Sequence, residues 1–179
     1  MGTAYKILPH YTYEDYCRWE GHWELIDGIP YAMSPAPRSA HQAVVGNLHA
    51  ELRTSIKKSG CDGKVYQPID YKLAEDTVLN PDLLVVCKPI AKAFLDFAPE
   101  IVVEILSPAT VLKDRHTKFD LYQKEGIPYY FIIDVDSKVV EVYQLNNKIY
   151  ERQHLDQQLP FSINLAECKF DLVFDNIWS

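Results

Sequence analysis

Two apolar segments of this chain each carry one carboxylate that packing alone does not explain. Asp82 lies in Pro81-Asp82-Leu83-Leu84-Val85-Val86, and Glu104, 22 residues on, lies in Ile101-Val102-Val103-Glu104-Ile105-Leu106. Neither segment alternates apolar with polar residues, so both read as strands buried on both faces. An ionised carboxylate in such a strand is costly unless a cation or hydrogen-bond donors compensate it. Two of them on adjacent strands point to a site that holds a metal.

The surrounding pattern supplies a frame for those strands. Apolar spacing predicts a long helix over 39–58, through Ala40, Val44, Val45, Leu48, Leu52 and Ile56, and a second helix over 111–125 closed by Gly126. A buried strand over 129–135 follows that second helix, and a right-handed crossover makes it parallel to the Glu104 strand. Near the N-terminus a short helix is expected over 12–20, then a hairpin around Asp27-Gly28, a dipeptide suited to two-residue turns. Ser34-Pro35-Ala36-Pro37 should break the sheet there. Strand-like segments at 63–67 and 69–73 precede a turn-forming stretch from Glu75 to Pro81, and further strands are expected over 138–145 and 148–154. The expected class is α/β (α+β), a mixed β-sheet flanked by helices, with an added N-terminal hairpin and C-terminal strands.

With 179 residues, 47% hydrophobic and 24% charged, the chain suits one domain over 1–179. The net charge of −7 argues against the broad basic surface of a tight, unspecific nucleic-acid binder, although a local groove can still be basic. Cys17, Cys61, Cys87 and Cys168 are widely spaced with no C-x-x-C pair, so reduced, structural cysteines are expected, with no disulfide framework or zinc ribbon. No basic start with an apolar run opens the sequence, and no apolar run has bilayer-spanning length. The expectation is a soluble cytoplasmic protein with no membrane partner.

Asp82 opens its strand and Glu104 ends its own, so an antiparallel or offset pairing would bring the two side chains together. Two carboxylates with waters suit Mg²⁺, and the Ile105 carbonyl is a candidate further ligand. A metal held this way lowers the pKa of a bound water and stabilises a leaving oxygen, the needs of phosphodiester hydrolysis. Asp114, Lys118 and Tyr122, spaced by four, share one helix face, from which Lys118 can point back over the strand ends. An ordinary Asp114–Lys118 surface pair explains the lysine equally well. Glu24 fits the polar position of an alternating strand, and His41 fits a ligand, a base, a phosphate contact or a structural residue.

In order along the chain, Glu24-Leu25-Ile26-Asp27-Gly28, His41, Pro81 to Val86, Val102-Val103-Glu104-Ile105-Leu106-Ser107-Pro108-Ala109-Thr110, Asp114, Lys118, Tyr122 and Gly126 to Phe131 form one pattern. It resembles the Uma family of restriction endonucleases within the PD-(D/E)xK nuclease superfamily, over about residues 10–145. The resemblance implies a restriction endonuclease-like core and Mg²⁺-dependent cleavage of DNA, with Mn²⁺ able to substitute. It makes Asp82 and Glu104 metal ligands and Glu24 a further acid near the metal, orienting its water. The lysine of (D/E)xK falls on Leu106, so Lys118 is the expected replacement, with His41 and Tyr122 as phosphate or supporting contacts. Endonucleases of this class commonly act as homodimers.

Two other readings stay open. The fold can have lost its chemistry and serve as a binding or assembly module, which the acidic charge and Leu106 favour. Alternatively the acids form a structural ion-pair network with Lys118 and Arg115.

Overall fold

Asp27 and Gly28 take φ angles of 49° and 74°, the pair of left-handed conformations that a type I′ hairpin turn requires. They join β1 (Trp23–Ile26) to β2 (Ile29–Ala32), as the sequence predicts. A side chain on Gly28 would also run into the His10 ring. The computed structural model describes residues 8–33, 38–166 and 168–179. The break expected at Ser34-Pro35-Ala36-Pro37 therefore lies outside the described residues.

Before the hairpin, α1 (Tyr13–Tyr16) is shorter than expected, with Asp15 accepting from the Thr12 backbone N–H at 2.9 Å. After it, α2 (Ser39–Lys58) buries Val44, Leu48, Leu52 and Ile56, one residue per turn. Three short strands follow, β3 (Lys64–Tyr66), β4 (Tyr71–Ala74) and β5 (Thr77–Leu79). β5 corrects the expectation of a plain turn between Glu75 and Pro81. Its three buried residues sit between Asp76 and Asn80, too short a run to show a period.

The two acid-bearing strands are β6 (Leu83–Val86) and β7 (Ile101–Ile105), every residue buried. A helical crossover with α3 (Phe119–Lys124) leads to β8 (Tyr129–Asp134), which lies parallel to β7. β9 (Val139–Asn146) and β10 (Ile149–Arg152) then run antiparallel at the edge. A last hairpin, β11 (Phe161–Leu165) with β12 (Cys168–Leu172), resolves the mixed C-terminal tail, and a 3₁₀ turn, Phe174–Trp178, ends it.

Among the described residues the strands form a six-stranded sheet, β10-β9-β8-β7-β6-β3, and a four-stranded sheet, β2-β1-β5-β4, beside the two-stranded C-terminal hairpin. Strand alternation divides the core in two. Leu83, Val85, Ile101, Val103 and Ile105 pack with α2 and the C-terminal hairpin. Leu84, Val86 and Val102 pack on the opposite face with Tyr122 of α3 and Ile26 and Leu79 of the smaller sheet. Period-two parity puts Asp82 and Glu104 on that second face. No helix of the described residues is long and apolar enough to cross a membrane.

Cys61 and Cys168 are joined by a disulfide across 107 residues, which overturns the expectation of reduced cysteines for these two. Nothing in the spacing signals it, because the pairing is made by α2 packing on β12 rather than by local chain. Closing so long a loop constrains the unfolded chain strongly. Cys61→Ser is expected to lower stability by about 2–4 kcal/mol in urea unfolding. Adding reductant should lower the wild type to the variant's level and leave the variant unchanged.

Candidate active site

Leu83 pairs with Val103 and Leu84 with Val102 across the antiparallel β6–β7 ladder. One further step of that register sets Asp82 opposite Glu104 on the same face, as expected from their places at the strand ends. Asp82 is held by its own neighbour strand, its Oδ2 accepting from the Ile105 backbone N–H at 2.8 Å. Both acids line a cleft of about 760 Å³ together with His41, Ile105, Leu106 and Lys118.

Lys118 reaches the acids through an irregular helix. Residues Lys113–Lys118 form a π-helical segment ahead of α3, a widened turn that recurs at functional sites. The Tyr130 hydroxyl donates to the Asp114 carbonyl at 2.9 Å within it, pairing a backbone acceptor from outside the helix. Lys118 Nζ lies 2.7 Å from Glu24 Oε1, 2.8 Å from Glu104 Oε1 and 3.5 Å from Asp114 Oδ1. Tyr122, one turn on, donates its hydroxyl to the same Glu104 Oε1 at 2.7 Å. Asp114 and Lys118 are each 1% exposed, so theirs is a buried pair and the surface-pair reading falls.

Glu24 arrives from β1, fully buried, and does not line the cleft. Its Oε1 accepts from the Asn80 backbone N–H at 3.0 Å and faces Lys118, while Oε2 pairs with Lys113. Lys113 and Asn80 are the partners that sequence reasoning missed. Asn80 adjoins the Pro81-Asp82 motif and Lys113 adjoins Asp114, so proximity to the motif was their only signal. Arg115 pairs instead with Glu141 at 2.6 Å and stays out of the acid cluster, against the ion-pair reading that joined it to Lys118.

The electrostatics follow from burial and from a surplus of acids. Burial pushes the Glu104 carboxyl well up; Lys118 opposes this, and the charges of Asp114, Asp82 and Glu24 reinforce it. Burial also raises Asp114 against the pull of Lys118. Glu24 is buried as well, but Lys118 and Lys113 together outweigh burial and hold its carboxyl below the usual range. Lys118 is held up, its burial outweighed by Glu104, Glu24 and Asp114. His41 lies with Nε2 3.4 Å from Asp82 Oδ1. Burial lowers its imidazole, yet Asp82 and the Ile105 carbonyl raise it further than burial takes it down.

These residues fit a divalent metal of the Mg²⁺ kind. No three of His, Cys, Asp and Glu among the described residues are grouped to hold an ion. Asp82 and Glu104 instead supply two carboxylates at one cleft, the protein share that Mg²⁺ usually takes alongside waters and substrate phosphate. The mutual repulsion that raises Glu104 is what a bound cation would relieve.

The mixed sheet, with paired acids at its strand ends and a helix crossing to a parallel strand, is the restriction endonuclease-like fold that the sequence resemblance implies. A solved structure titled a "putative nuclease belonging to DUF820", from Anabaena variabilis, matches this fold with a TM-score of 0.73, at 18% identity, over 93% of this chain and 97% of that one. The family model of Uma2, described as "Putative restriction endonuclease", matches residues 12–170. The chain belongs to the Uma2 family. An uncharacterized Synechocystis sp. protein, slr1290, is 28% identical over 150 residues, 78% of this chain and 77% of that protein.

Proposed function

We propose that the protein is a Mg²⁺-dependent DNA endonuclease that hydrolyses phosphodiester bonds, with Mn²⁺ able to replace Mg²⁺. The observation that carries this reading is Lys118 Nζ at 2.8 Å from Glu104, opposite Asp82 in one cleft. Asp82 and Glu104 would hold the metal, with the Ile105 carbonyl beside them. The bound ion supplies an acidified water and a charge that stabilises the leaving oxygen.

The chain's own residues do the rest. Lys118 replaces the lysine missing at Leu106, coming from the crossover helix instead of the strand. Its 3.5 Å contact with Asp114 is long for a hydrogen bond, so one N–H can turn to an oxygen of the pentacovalent phosphorus. Tyr122 and Glu24 are positioning residues, the first fixing the Glu104 carboxylate and the second Lys118. Asp114 neutralises part of the lysine's charge, and His41 orients Asp82 and contacts the phosphate. Two copies of the chain would cut the two strands of a duplex.

With Mg²⁺, purified protein is expected to cut at least one of plasmid, linear duplex, single-stranded and branched DNA, and Asp82→Ala to lose that cleavage. Absence of cleavage of all four with either ion would favour the non-cutting binding module.

A further inference from the structure

Tyr130 has no part in the chemistry above, yet its contacts flank Lys118 along the chain. It stands on β8 opposite Val102 of β7 and packs on the same face as that residue, which is the face that carries Glu104. The side chain is fully buried. Its hydroxyl donates to the Asp114 main-chain carbonyl at 2.9 Å, four residues before the lysine. Its ring lies edge-on to Phe119, one residue after the lysine, with 6.1 Å between centroids, and to Tyr122 at 5.1 Å. Tyr143 and Tyr150 close a cage around that ring, at 6.5 Å and 6.1 Å.

We propose that Tyr130 is a positioning residue for Lys118, its hydroxyl holding open the π turn from which the lysine reaches Glu104. The inference rests on the nuclease reading and adds a residue to it. In an α-helix the Asp114 carbonyl accepts from the N–H four residues on, which is that of Lys118 itself. A donor from outside the helix gives that buried carbonyl another partner, and so removes the need for the α-helical bond. The ring cage fixes where the donor sits. A turn that closed would draw the carbonyl away from it.

Glu24 acts on the same turn through its side chains. Its two carboxylate oxygens take Lys113 and Lys118, the first and last residues of the π segment. Residues five apart are hydrogen-bonded neighbours in a π turn, whereas they lie about 140° apart around an α-helix. The wide turn therefore suits one carboxylate that grips both lysines. Glu24 fixes the lysine heads, and Tyr130 fixes the main chain that carries them. Removing the Tyr130 hydroxyl thus tests the turn without taking a charge from the site.

Tyr130→Phe keeps the ring and deletes the hydroxyl. A crystal structure of this variant is expected to show Lys113–Lys118 at α-helical pitch, with Lys118 Nζ beyond hydrogen-bond distance of Glu104. With Mg²⁺, kcat should fall about a hundredfold at unchanged KM, the scale of a small misplacement of a reacting group. Titrated Mn²⁺ should bind at least as tightly as in the wild type, because Asp82 and Glu104 remain. Tyr143→Phe deletes a hydroxyl from the same cage, one that bonds Glu141 instead, and should keep the wild-type kcat. A retained π turn with Lys118 on Glu104, weaker Mn²⁺ binding, or equal kcat losses in the two variants overturns the proposal. If Tyr130→Phe fails to fold, Phe119→Leu loosens the cage with the hydroxyl kept. A lower kcat at unchanged KM in that variant supports the proposal, and a wild-type kcat overturns it. If the wild type cuts no DNA, the nuclease reading fails and the crystal structure alone judges Tyr130, whereas wild-type cutting by Tyr130→Phe removes the role of Tyr130 and keeps the nuclease.

Discussion

Lys118→Met is expected to destabilise the protein by about 3–5 kcal/mol, the usual result of removing one partner from a buried ion pair. The cost arises because the acids stay behind. Glu24 is fully buried, and Glu104 and Asp114 are 3% and 1% exposed, so none can turn to water. Lys113 still faces Glu24, but among the described residues no other cation pairs with Glu104. Methionine fills most of the lysine's volume, which keeps a cavity term out of the measurement. Lys113→Met makes the control, because Glu24 would keep Lys118 at 2.7 Å. Urea unfolding of the three proteins should show a large loss for Lys118→Met and a clearly smaller one for Lys113→Met; equal losses would place the stability in Glu24 alone.

Glu104→Gln should act in the opposite sense on stability while removing activity. Burial and three neighbouring acids hold the Glu104 carboxyl well above its ordinary 4.5. A carboxyl raised by folding contributes stability below pH 4.5 and loses it as pH rises through the folded value. At neutral pH the buried carboxyl is therefore a cost, and glutamine removes it. The amide oxygen can still accept from Lys118 and Tyr122, so the local bonds survive. Thermal melting at pH 7 is expected to match or exceed the wild type, with the difference shrinking towards pH 4. Cleavage should fall at least about a hundredfold, the scale of losing one well-placed group at a developing charge. A variant that melts early at pH 7 would mean that ionised Glu104 supports the fold.

The sequence shows the acids more clearly than it shows their company. Asp82 and Glu104 are legible because an acid in an unbroken apolar strand contradicts its surroundings, and the length and spacing of α2 make that helix legible in the same way. Glu24 is harder to read, since β1 is a four-residue strand in which an acid passes for the solvent-facing position. Its full burial depends on β5, which the turn-forming residues around it conceal. The Cys61–Cys168 bridge depends on where α2 docks, and no local signal carries that. The π segment has no composition of its own, so the spacing of Asp114, Lys118 and Tyr122 foretold a shared face without the widened turn that shapes it.

That widened turn makes the lysine's position a question of chain length. Deleting one residue from Lys113–Lys118 would let the segment close to α-helical pitch, and everything on one side of the cut would rotate by about 100° relative to the other. Either Lys118 would leave Glu104, or Tyr122 and the packing of α3 on β8 would move instead. The helix thus tolerates changes of residue type far better than changes of residue count. In a chain whose lysine comes from a helix, a single-codon deletion can silence the site with every charged side chain still present.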